Sequence, residues 1–134
     1  QHWPVIDQGW QRVKFVLLPH TGNHQGAEIA KRAWELNAAP IVHPESSHPG
    51  QPAPERGLIE MESESVLVTV VKKSEDDNDI IVRAYETQGK NDNTRLYLPT
   101  FNKFFNLHFT PHEIKTVRIN KNTWQLCEVN LLEE

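Results

Sequence analysis

A mainly β fold, an antiparallel β-sandwich carrying one short N-terminal amphipathic helix, is what this sequence predicts. Three observations carry it. Residues 65–89 hold two apolar runs rich in β-branched residues, 66–71 and 80–85, on either side of an acidic turn. Further short runs follow at the spacing of sandwich strands, giving about six strands after residue 57. One stretch alone, 27–37, shows helical spacing.

In chain order, residues 13–19 form a nearly continuous apolar run ended by Pro19 and followed by Thr21, Gly22 and Asn23, which predicts a buried strand entering a loop. From 27 to 37, Ile29, Ala30, Ala33, Trp34 and Leu36 recur at three- and four-residue spacing. Glu28, Lys31, Arg32 and Glu35 fill the other face, so a helix of about three turns is expected, with Glu28 near its positive end and Asn37 as its stop. Residues 44–57 are proline-rich without a large apolar side chain and read as an extended linker. The division expected is a strand-helix segment over 1–43 continuing from a preceding β-sandwich, the linker over 44–57, and a C-terminal sandwich over 58–134.

Within that last part, residues 58–61 predict a short strand. Val66, Val68 and Val70 then alternate with Leu67, Thr69 and Val71, so both faces of the next strand want cover. Ile80, Val82 and Ala84 alternate with Ile81, Arg83 and Tyr85, a period of two with one face able to meet solvent. Leu96 and Leu98, then Phe105, Leu107 and Phe109, make inward faces; residues 112–119 and 124–132 supply the last strands around the turn 120–123.

The chain has 134 residues, the size of one domain, and begins with Gln1, its single methionine being Met61; it is expected to be a piece of a longer polypeptide. A net charge of -4 with interspersed signs offers no basic stripe for nucleic acid, and no apolar run reaches the length of a membrane span. One cysteine, Cys127, leaves no internal disulfide and leans toward a reducing, cytoplasmic compartment.

The search for chemistry returns no catalytic, cofactor-binding or metal residue. His20 and His24 are a close histidine pair outside the linker, but zinc needs three or four convergent ligands, so His20 is expected to pack or hydrogen-bond at a strand end. His43, His48, His108 and His112 are expected in solvent. The run 75–79 is acidic enough to suggest calcium but lacks the EF-hand glycine and glutamate, and reads as a solvated turn. Cys127 is expected to be a small buried hydrophobe, and Trp34 and Trp124 core residues, with Trp3 and Trp10 freer to face a sugar.

Residues 67–76 with 80–89, then 113–118, then 128–133, in that order, resemble the C-terminal end of the glycoside hydrolase family 38 α-mannosidases. Residues 15–20 with Gly22, Ala27, Ala33, Leu36 and Asn37 are similar to that family's passage out of its central β-sandwich. The resemblance implies a parent that removes terminal α-linked mannose with retention, using zinc and a carboxylate nucleophile in an N-terminal barrel. No residue here matches that barrel's motifs, so zinc is expected in the parent's catalytic domain and no cofactor in this chain. The partners it implies are the preceding domains of the same polypeptide, the parent's carbohydrate substrate, and a possible second copy. The alternative is an independent carbohydrate-binding sandwich, which would set Trp3, Trp10 or Tyr97 on one exposed face.

Overall fold

The computed structural model describes residues 8–38, 40–47, 49 and 57–134. The linker expected over 44–57 therefore falls largely outside the described residues, as do Trp3 and His48. Among those described, one α-helix, α1 (Ile29–Asn37), precedes seven strands: β1 (Glu60–Met61), β2 (Val66–Lys73), β3 (Ile80–Glu86), β4 (Asp92–Leu98), β5 (Lys103–Phe109), β6 (Ile114–Ile119) and β7 (Leu126–Val129). Every pairing is antiparallel, in a three-stranded sheet ordered β1-β4-β5 and a four-stranded sheet ordered β2-β3-β6-β7.

The sheets face one another across a core to which both contribute. Val66, Val82, Ala84, Val117 and Ile119 come from the four-stranded sheet; Leu96, Leu98, Leu107 and Phe109 come from the other. The alternation along β3 and β4 produces this, because every second side chain points inward. Burial of such side chains contributes roughly 1.5–3 kcal/mol each. Connections within a sheet (β2-β3, β4-β5, β6-β7) lie at one end of the sandwich, and those that change sheet (β1-β2, β3-β4, β5-β6) lie at the other.

Carboxylates fasten the sheet-changing end. Glu86, fully buried at the end of β3, accepts the backbone N–H groups of Gln88 (2.8 Å), Gly89 (2.7 Å), Lys90 (3.3 Å) and, from another connection, His112 (3.0 Å). Burial pushes its pKa up, but the four N–H donors outweigh that and hold it below the ordinary value. Gly89 has φ 73, and a Cβ there would come 2.7 Å from His112 Nε2, so the loop that wraps Glu86 requires glycine. Asp92 accepts the hydroxyls of Ser63 (2.5 Å) and Ser65, and the Thr87 hydroxyl donates to Ser65 O at 2.8 Å.

Three expectations are corrected. Residues 13–19 are not a strand: they are without regular structure and exposed, with Phe15 86% and Leu17 92% accessible, because no described neighbour offers them an edge or a face. The helix forms, ended by Asn37 Nδ2 donating to Ala33 O at 2.8 Å, but it buries no residue and leaves Trp34 47% exposed, so Trp34 is not a core residue. The alternation in β2 is broken by a bulge between Val68 and Val70, which pairs Val70 with outward-facing Arg83 and Val71 with inward-facing Val82.

Candidate functional site

The outer face of the three-stranded sheet collects the most chemically varied exposed groups. Cross-strand pairing sets Tyr97 opposite Phe104, and their rings stack at 4.2 Å between centroids with planes 11° apart. Arg95, two residues back along β4, lies 5.8 Å from the centre of the Phe104 ring. Its guanidinium also grips Glu62 bidentately, Nε to Oε2 at 2.9 Å and Nη2 to Oε1 at 3.0 Å. That hydrogen bond and the arginine's charge hold the Glu62 carboxyl below its ordinary pKa. Further along, His108 Nδ1 meets Asn93 Oδ1 at 2.9 Å. Two shallow depressions of about 230 and 270 Å³ adjoin each other here and share Glu62 and Arg95.

At the opposite end, an apolar opening of about 360 Å³ lies between the sheets, lined among others by Leu58, Val71, Ile80, Leu98 and Phe101. Beside it, residues 75–78 of the acidic turn are exposed, as a solvated turn requires, while its last carboxylate is turned in. Asp79 is 6% exposed, and its carboxylate takes Arg118 Nε at 2.8 Å. Asp77 pairs with the same arginine and with Ser74, while Glu75 and Glu133 both hold Lys72, at 2.7 and 2.5 Å. Lys72 and Arg118 thus engage three of the turn's four carboxylates, those of Glu75, Asp77 and Asp79, in salt bridges.

The family model described as "Glycosyl hydrolases family 38 C-terminal beta sandwich domain" matches residues 65–134, just over half of the chain. The chain belongs to this family. Alpha-mannosidase G of Dictyostelium discoideum is 27% identical over 91 residues, which cover 63% of this chain and 8% of that protein's length. No solved structure matches. The matched region begins at Ser65, just before β2, and takes in both sheets except β1.

The described histidines are scattered. His20 is exposed, its Nδ1 3.4 Å from Thr21 O, in a segment without regular structure rather than at a strand end. His24 lies near the start of α1; His43, His108 and His112 are exposed. No group of three or more His, Cys, Asp or Glu side chains converges among the described residues, so they do not fit a zinc centre. No described helix is long and apolar enough to cross a membrane. Cys127 is exposed, not buried, because it sits on edge strand β7 and shares the outer face with its register partner Arg118. Trp124 does pack against the core, its ring 4.9 Å from Phe101, and Trp10 is fully exposed. Tyr97 does reach an exposed sheet face with Arg95, the two alternating against Leu96 and Leu98 as the sequence predicts, and Phe104 and Glu62, which the sequence left unmarked, join them there. The signal available was the period of two: with Leu96 and Leu98 inward, Arg95 and Tyr97 must point out.

Proposed function

We propose that this chain is the C-terminal accessory domain of an α-mannosidase whose catalytic groups lie elsewhere in the polypeptide, in a zinc-dependent, retaining domain acting on terminal α-linked mannose. The observation that carries the reading is the match to the family's C-terminal sandwich over 65–134, on a chain spanning 8% of the mannosidase it resembles. The domain's role is then architectural. Its salt-bridged turn and carboxylate-tied loops make a rigid block, and the exposed apolar residues of 13–18 suit cover by a preceding domain. The test is hydrolysis of a chromogenic α-mannoside by the purified chain, with and without added zinc, beside the full-length polypeptide. Activity in the long form alone is expected; turnover by the chain above a mock purification refutes the assignment.

A further inference from the structure

The exposed face of the β1-β4-β5 sheet carries the stacked Tyr97–Phe104 ring pair bordered by planar polar groups. Phe104 is 55% exposed and belongs to neither the core nor its fringe. The Arg95–Glu62 pair is also on the surface, where such a pair adds little to stability. Yet the pair orients the guanidinium beside the Phe104 ring and keeps Nη1 free of any bond to the described residues. Glu62 retains acceptor capacity beyond its two bonds to arginine. Asn106, opposite Arg95 in the register, presents an amide on the same face.

We propose that this face is a non-catalytic glycan subsite, in which a pyranose packs its C–H face against the Tyr97–Phe104 ring pair while vicinal hydroxyls bond to Arg95, Glu62 and Asn106. The chemistry favours a neutral sugar over an ionic partner, because the Arg95 and Glu62 charges cancel and leave directional donors and acceptors rather than a field. Adjacent hydroxyls match a guanidinium-carboxylate edge, which offers donor and acceptor side by side. The adjoining depressions, each shallow and open, suit successive residues of an oligosaccharide rather than one enclosed ligand. Mannose is named as the sugar only because this inference rests, for that choice, on the accessory-domain reading.

The test is a nuclear magnetic resonance titration of the chain with mannotriose, with glucose and galactose trisaccharides in parallel. Expected are saturable shifts confined to the amides of β4, β5 and residues 60–62, in the millimolar range, weakened about tenfold or more in both Phe104→Ala and Arg95→Ala. Both side chains are exposed, so spectra of the free variants should superpose on the parent away from the substitution. Absence of saturable shifts well into the millimolar range, or shifts that persist undiminished in Phe104→Ala, overturns the subsite. Binding of the glucose or galactose series but not of mannotriose upholds the subsite and counts against the mannosidase assignment, which the hydrolysis of the full-length polypeptide tests separately.

Discussion

Replacing Glu86 should cost this domain a large part of its stability, although the residue touches no other charged side chain at hydrogen-bond distance. Its carboxylate is fully buried and accepts four backbone N–H groups from two separate connections. A hydrogen bond to a charged group contributes about 1.5–3 kcal/mol, and a buried donor stripped of its acceptor costs about 1–3 kcal/mol. Glu86→Ala opens all four; with water recovering those nearest the surface, the loss is about 3–5 kcal/mol, set against a total of roughly 5–15 kcal/mol for a domain. Glu86→Gln keeps the shape but turns an amide N–H₂ toward donors, for about 2–3 kcal/mol. The pKa of Glu86 is depressed in the folded state, so its contribution is present in full above the unfolded value of about 4.3 and is lost as pH falls through the folded value. Asp77, Asp92 and Glu113 shift in the same direction, so the difference between wild type and Glu86→Gln isolates this one group. Urea unfolding at neutral and acidic pH reads both quantities. A cost below about 1 kcal/mol for Glu86→Ala, or an unchanged gap between wild type and Glu86→Gln on acidification below about pH 4, refutes the reasoning.

Phe109→Ala removes a fully buried ring from the core near its sheet-changing end, beneath the Lys115 ammonium at 5.8 Å, and should lower the unfolding free energy by about 3–5 kcal/mol in the same urea assay. The isolated chain should self-associate through the exposed side chains of 13–18: light scattering should show a mass rising with concentration, and the double change Phe15→Ser with Leu17→Ser should return it to a monomer.

Most of the sandwich was legible because its signal is local. The valine and isoleucine density of 66–71 and 80–85 specifies a hairpin whatever lies around it, and the inward sets Leu96–Leu98 and Leu107–Phe109 follow from a period of two. What was illegible depends on partners distant in the chain. The run 13–19 has a strand's composition, but a strand also needs an edge to pair with, and composition carries no information about that. The bulge at Thr69 reverses the faces of Val70 and Val71 without a glycine to announce it. The engagement of Asp77 and Asp79 by Arg118 joins residues about forty positions apart, so an acidic run read alone looks like a loop for water or calcium. Glu86 was overlooked because glutamate ordinarily faces solvent; the signal present was its place two residues after inward-facing Ala84, where the alternation demands that it turn in.

Because the chain changes sheet at one end only, the two sheets are bound like pages along a single spine. At that spine, backbone crosses the gap three times and carboxylates hold the crossings in place. At the fore-edge nothing covalent fixes the separation, and the leaves stay closed only as far as side chains fill the space. Leu58, Val71, Ile80, Leu98 and Phe101 fill it incompletely, which is why an apolar hollow of about 360 Å³ opens there. Bulk gained or lost at those five positions is therefore absorbed by the angle between the leaves, whereas the same change at the spine has to be absorbed by backbone.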